Sequence, residues 1–325
     1  MNLLLDRRSH DLVADALADR PAVNVLVMED DERIVDATGQ EVSEPAPEAG
    51  WFSSSLLLNP DAPIRAYLKT LLAAGTTRWV QSGAAGYEHP LFQRILDAGI
   101  RLSINDATRI AIAEYVLAEV LACFQPIRQR DALQREQRWE RLPFRELHGS
   151  RWLIFGYGAI GRCVAERANA FGAEVVGVRR TPRDDAHALR VVGPDALDAE
   201  LAEADVVVLC AAANDSNARV MNAERLGRMR EDSVLVNIAR GSLVDEDALL
   251  AALDAGRPGQ AVLDVFDTEP LPEDHAFWAH PKVHLTAHCS AHTAGSTTRG
   301  TEVFLEHLDA WLAGEALRLE VTPGG

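Results

Sequence analysis

Arg151-Trp-Leu-Ile-Phe155-Gly156-Tyr157-Gly158-Ala159-Ile160-Gly161-Arg-Cys-Val-Ala-Glu-Arg167 reads as a buried strand, a glycine turn and the first turns of a helix. Each glycine of this G-x-G-x-x-G has a physical task. Gly156 permits the tight turn, Gly158 lets the main chain approach a pyrophosphate, and Gly161 lets the helix pack close to the strand. The helix N-terminus adds free N–H groups and a positive dipole end. Alone, such a turn can be only a turn. Flanked by strand and helix, it predicts a dinucleotide site on a doubly wound parallel sheet.

Downstream, strands and helices alternate. Glu174–Val178, Asp205–Cys210, Ser233–Ile238, Gln260–Val265 and Val283–Thr286 are apolar runs, the pattern of parallel strands buried on both faces. Between them, helices are expected over 196–202, 221–229 and 246–255. Upstream, Ile110–Phe124 reads as a long helix, apolar on more than one side and so expected between two domains. The charged stretch Arg128–Arg141 follows, with Trp139 as its one large apolar anchor. Residues 1–103 form a further α/β pattern, with strands at Asn24–Met28, Trp51–Phe52 and Arg78–Val80 and a helix over Ile64–Leu72. A last amphipathic helix, Thr301–Leu312, is expected to return to that first domain. The expected architecture is therefore a Rossmann cofactor domain, 104–292, inserted in a smaller substrate domain built from 1–103 and 293–325.

At 325 residues and 47% hydrophobic, the chain is long enough for two such cores. No basic leader and no uninterrupted apolar run of about 18 residues is seen, so secretion and membrane insertion are not expected. Net charge is −17, and Lys69 and Lys282 are the only lysines, a balance that disfavours nucleic-acid binding. Cys123, Cys163, Cys210 and Cys289 show no C-x-x-C pair, and three lie in apolar runs, which fits a reducing cytoplasm.

The chemistry concentrates after strand ends. Where an NAD site commonly has Asp or Glu, the strand Glu174–Val178 runs into Arg179, Arg180 and Arg183. Guanidinium forks suit a 2′-phosphate, so NADP is expected over NAD, the bland alternative being a solvated basic loop. Arg240, Glu269 and His288 follow three successive strands. That trio suits reduction of a 2-oxo acid. Arg240 would hold the carboxylate and polarise the ketone, His288 would protonate the alkoxide, and Glu269 would orient the imidazole and favour its protonated form. The turn Gln81-Ser-Gly-Ala84-Ala85-Gly86-Tyr87 is either an anion nest or a plain strand-to-helix turn. Histidines recur at 280, 284, 288 and 292, but Pro281 and the β-like 282–286 deny them one helix, so no metal site is expected.

Together these runs carry a resemblance. Val236-Asn-Ile238-Ala-Arg240-Gly-Ser-Leu-Val-Asp245, Leu263-Asp264-Val-Phe-Asp-Thr-Glu269-Pro-Leu-Pro272, Thr286-Ala-His288, the glycine turn and Ala113-Glu114-Tyr115 resemble the D-isomer specific 2-hydroxyacid dehydrogenase family. The match covers roughly 80–295, and the arginine loop looks most like the glyoxylate and hydroxypyruvate reductase branch. The resemblance implies a flavodoxin-like first domain, a homodimer and the catalytic set Arg240, Glu269 and His288. It also implies that N–H groups of Ala84-Ala85-Gly86 grip the substrate carboxylate. Cofactor contacts are implied at Tyr157, Ala159, Ile160, Ala211 and Ile238, and at Asp264 and Ser290 toward the nicotinamide carboxamide.

Two departures stand out. Ala287 replaces the proline usual before the catalytic histidine, and Ala211-Ala-Ala-Asn214 replaces a loop that usually reads like Leu-Pro-Leu-Thr. Neither removes a catalytic group. Two other functions stay open: a dinucleotide-sensing binding protein, and a dehydrogenase of formate, phosphite or a larger hydroxy acid.

Overall fold

The computed structural model describes residues 1–57, 59–87 and 89–321. Two compact units emerge, Met1–Thr108 with Thr293–Gly325, and Arg109–His292.

In the first unit the chain runs β1 (Asn2–Asp6), α1 (Arg7–Ala18), β2 (Asn24–Met28), β3 (Ile34–Asp36), β4 (Ala49–Phe52), α2 (Ser54–Leu57), α3 (Ile64–Ala73), β5 (Trp79–Ser82), α4 (Pro90–Asp97) and β6 (Arg101–Ser103). Its sheet order is β3-β2-β1-β4-β5-β6, with β3 antiparallel and the other pairings parallel. Without the β3 edge this is the flavodoxin-like order. The opening apolar run Leu3–Leu5 is a central strand, each side chain at 0% exposure. Asp6 then turns the chain into α1, its carboxylate accepting from Ser9 N–H.

The last helix of this unit is longer than its apolar pattern, spanning Ala294–Ala313 rather than Thr301–Leu312. Its polar opening turns carry no periodic signal, but Thr293 caps them by accepting from Ser296 N–H, and Gly314 ends the helix at φ +72°. It belongs to the first unit's core: Phe304 stacks on Trp51 at 4.2 Å between centroids, and Trp311 on Trp79 at 5.5 Å.

The second unit begins with α5 (Arg109–Phe124) and α6 (Ile127–Arg135). It continues as β7 (Arg151–Phe155), α7 (Ala159–Ala170), β8 (Glu174–Val178), β9 (Arg190–Val192), α8 (Leu197–Leu201), β10 (Val206–Leu209), α9 (Ala223–Arg228), β11 (Val234–Asn237), α10 (Glu246–Asp254), β12 (Gln260–Leu263) and β13 (Val283–Leu285). Seven parallel strands lie in the order β13-β12-β11-β10-β7-β8-β9. This is the doubly wound sheet, its order reversing between β7 and β10. The central strands β10 and β11 are buried throughout, which is why they read as unbroken apolar runs. α5 packs Ala113, Val116 and Val120, all at 0% exposure, into one of the two cores of this unit.

One expected anchor fails within the single chain. Trp139 is 98% exposed, because α6 has no buried residue and offers it no apolar face.

Candidate active site

At the switch point, the carboxyl ends of β7 and β10 meet. Gly156 has φ +94°, and a Cβ there would lie 2.2 Å from Ala211 N, so only glycine allows the two chains to pass. A Cβ on Gly161 would lie 2.8 Å from Gly156 O and 2.9 Å from Ile154 Cγ2, the close helix–strand approach expected of it. At Gly158 a Cβ would meet nothing within 4 Å, leaving open room above the turn. Gly158 O accepts from Arg162 N–H (2.9 Å), so the N–H groups of Ala159, Ile160 and Gly161 precede the first intrahelical bond of α7. The structure thus offers anion donors where a pyrophosphate would sit. The departed loop after β10 is tied within itself: Asn217 Nδ2 donates to Ala212 O (2.8 Å) and Asn217 Oδ1 accepts from Asn214 N–H (2.8 Å).

Tyr157 does more than follow the turn. It is 1% exposed, its ring lies where Gly177 of β8 lacks a side chain, and its hydroxyl donates to Asp185 (3.2 Å). Asp185 also pairs with Arg162 Nε (2.6 Å) and accepts from His187 N–H (3.0 Å). Burial alone would raise the Asp185 carboxyl, but these hydrogen bonds and the Arg162 charge bring it below its ordinary range. Asp185 thereby pins the far end of the arginine loop to the glycine turn, a role that no sequence motif announced. Arg162 is committed to that carboxylate. Among the described residues no ion pair or hydrogen bond engages the guanidinium groups of Arg179, Arg180 or Arg183, of which the last two are exposed.

At the other side of the sheet, Asn237 of β11, Leu263 of β12 and Leu285 of β13 are in register, so the segments that follow them share one edge. Arg240, Asp264, Glu269 and His288 lie on those segments. Asn237 shapes the first: its side chain accepts from Ala239 N–H (3.1 Å) and donates to Arg240 O (2.9 Å). Arg240 Nη1 donates to Ala239 O (2.6 Å). Gly241 then crosses the next segment so closely that a Cβ would lie 1.9 Å from the Phe266 carbonyl carbon. The backbone just after the arginine thus runs against Phe266 and Asp267.

Glu269 bridges two elements. Its Oε1 accepts from Phe266 N–H (3.0 Å), and its Oε2 pairs with His288 Nδ1 (2.8 Å). The bond to Nδ1 directs Nε2 outward, and the His288 side chain is 51% exposed. His288 itself has φ +48°, a left-handed conformation that costs about 1–3 kcal/mol for a non-glycine residue. Its N–H donates to Asp264 O (2.8 Å). Asp264, expected beside a carboxamide, has 0% exposure. Its Oδ1 accepts from Thr286 Oγ1 (2.5 Å) and Cys289 N–H (2.8 Å), its Oδ2 from Ser290 N–H (3.0 Å). Its carboxylate holds the histidine loop.

The other recurring histidines face different partners. His284 lies on β13 with Nε2 2.8 Å from Gln260 Oε1, and burial pushes its imidazole down to about 4. His280 faces Asp254 at 3.4 Å.

In the first unit, Gly83 follows β5 under the end of β4, where a Cβ would lie 2.6 Å from Ser54 N. Ala84 N–H is taken by Ser82 Oγ (3.0 Å), and Ala84 O accepts from Asn105 N–H (3.1 Å).

Comparison with known proteins gives the family and the fold. The sequence model for the NAD binding domain of D-isomer specific 2-hydroxyacid dehydrogenases matches residues 117–290. Glyoxylate/hydroxypyruvate reductase A of Serratia proteamaculans (strain 568) is 33% identical over 200 residues, 61% of this chain and 64% of that protein. D-3-phosphoglycerate dehydrogenase 2, chloroplastic, of Arabidopsis thaliana is 32% identical over 226 residues, 68% of this chain and 36% of that protein. The chain thus spans less than two thirds of the length of either relative. Among solved structures, a D-isomer specific 2-hydroxyacid dehydrogenase from Xanthobacter autotrophicus Py2, in complex with NADPH and MES, superposes with a TM-score of 0.80. It is 25% identical, with 99% of this chain and 98% of that chain covered.

Proposed function

We infer the activity of this chain from one premise: it belongs to the D-isomer specific 2-hydroxyacid dehydrogenase family. On that footing it is an oxidoreductase that reduces a small 2-oxo acid of the glyoxylate or hydroxypyruvate kind to the D-2-hydroxy acid, with NADPH preferred to NADH. The observation that carries the reading is the His288–Glu269 pair, 2.8 Å apart, on the strand edge that also bears Arg240.

The residues fit a nicotinamide dinucleotide. Gly158 leaves room for a pyrophosphate, the first N–H groups of α7 supply its donors, and three unengaged arginines flank the position of a 2′-phosphate. When bound, the nicotinamide would supply the hydride for the substrate's C2. The chain does the rest. Arg240 presents a guanidinium fork to the carboxylate and the ketone oxygen, stabilising the negative charge that grows on that oxygen. His288 Nε2–H gives the oxygen its proton while Nδ1–H stays bonded to Glu269, and solvent reprotonates the exposed ring. For the Ala84–Gly86 loop, the same reading proposes anion binding by main-chain N–H groups. Ala85 and Gly86 are the donors, since Ser82 holds that of Ala84.

Loss of NADPH absorbance over a panel of glyoxylate, hydroxypyruvate, larger 2-oxo acids and 3-phosphohydroxypyruvate tests the activity. Turnover of none of them would defeat it. In the same assay, Arg180→Ala is expected to raise the KM for NADPH about tenfold or more while sparing that for NADH, the scale of one lost charged hydrogen bond. An unchanged NADPH/NADH ratio would reassign the arginine loop to solvent.

A second copy of the chain is the partner proposed for the segment around Trp139, whose ring has no apolar cover of its own. The cysteines are free, which suits a reducing compartment such as the cytoplasm. Among the described residues, no single helix is long and apolar enough to cross a membrane.

A further inference from the structure

We propose that Tyr115 is a positioning residue for the proton donor: its hydroxyl begins a hydrogen-bond chain through Thr286 and Asp264 that holds His288 in its left-handed conformation. The proposal rests on the assignment of His288 as the acid.

Counting protons sets the direction of the chain. Asp264 is wholly buried, and its carboxylate accepts from Thr286 Oγ1, Cys289 N–H and Ser290 N–H, so the Thr286 hydroxyl proton points at Asp264. The Thr286 hydroxyl has only that proton to give. The Tyr115 oxygen, 2.8 Å from Thr286 Oγ1, must therefore be the donor between the two. Burial holds the phenol well above its ordinary titration range, which keeps that proton in place. The order is Tyr115 O–H to Thr286 O–H to carboxylate, and each bond polarises the next.

The far end of the chain reaches the catalytic loop. Asp264 O takes the His288 N–H (2.8 Å), and its two carboxylate oxygens take the N–H groups of the two residues that follow. Three consecutive main-chain groups are thus fixed around a residue at φ +48°. The residue before His288 is Ala287, where no proline ring fixes φ, so the buried network is what holds the loop's backbone. Tyr115 lies on α5 and Thr286 directly follows β13, so the network ties the loop to a helix packed against the sheet. A phenylalanine at 115 would fill the same space and lack the donor.

The test uses the whole chain with NADPH and the best 2-oxo acid of the panel. Tyr115→Phe is expected to lower kcat about threefold to tenfold, the effect of one net hydrogen bond, with the KM for NADPH unchanged and only a small drop in the thermal midpoint. Thr286→Val should lose at least as much, and Thr286→Ser should recover most of that loss. Because the two hydroxyls act in series, the double variant Tyr115→Phe/Thr286→Val should be no slower than Thr286→Val alone. Wild-type kcat in Tyr115→Phe, or multiplied losses in the double variant, would overturn the positioning role and leave the oxidoreductase reading standing. A wild-type protein that turns over no 2-oxo acid would instead defeat that reading, and this inference with it.

Discussion

His288→Ala is expected to lower kcat by about 10²–10⁴-fold with the best 2-oxo acid, the range typical of a lost general acid. In the proposed reaction an alkoxide at the substrate's C2 would need a proton, and His288 is the side chain whose Nδ1 is tied back to a carboxylate so that Nε2 faces out. Affinity for NADPH should be unchanged, since the glycine turn follows β7 and is separated from β13 by β12, β11 and β10. Stopped-flow hydride transfer and cofactor titration on the same sample separate the two effects. Glu269→Gln should fall between wild type and His288→Ala. The amide cannot accept at both Phe266 N–H and His288 Nδ1, but the imidazole itself remains. A His288→Ala enzyme within threefold of wild type would move the proton-donor role elsewhere.

Arg240→Ala should cost about 10²–10³-fold in kcat, roughly 2.7–4 kcal/mol, the cost of removing a donor aimed at a developing oxyanion. This arginine is half-buried, follows a fully buried strand, and is fixed by Asn237 and by the Gly241 crossing. Such fixing means little reorganisation is needed as charge grows. The KM for the 2-oxo acid should also rise, because the same guanidinium is proposed to hold the carboxylate. Arg240→Lys keeps the charge and loses the fork, so it should recover only part of the rate. Steady-state kinetics decide this: a change in KM alone would confine Arg240 to binding.

The strands and the glycine turn were readable because their physics is local. Continuous apolar runs mark strands covered on both faces, and a glycine with positive φ can be inferred where strand must turn at once into helix. The placement of Arg240, Glu269 and His288 on one strand edge was readable because each follows a recognisable strand in a specific motif. Other features lacked a local signal. The polar opening of the last helix has no periodicity and is stabilised by one cap at Thr293. Trp139, read as an anchor, is 98% exposed and meets no apolar surface among the described residues.

From sequence alone came the sheet class, the dinucleotide turn, the arginine-rich loop and the residue types able to move a proton and hold a carboxylate. Only the tertiary structure decided how these are held. Asp185 closes the arginine loop onto Tyr157 and Arg162, Gly241 passes against Phe266, and Asp264 turns inward to gather Thr286, Cys289 and Ser290. Such partners are 22–28 residues apart in the chain, and a carboxylate's partners depend on which backbone groups the packed sheet delivers to it. Hydropathy and spacing record which residues are buried. They do not record which buried donor meets which acceptor, and here that pairing holds the loop that carries His288.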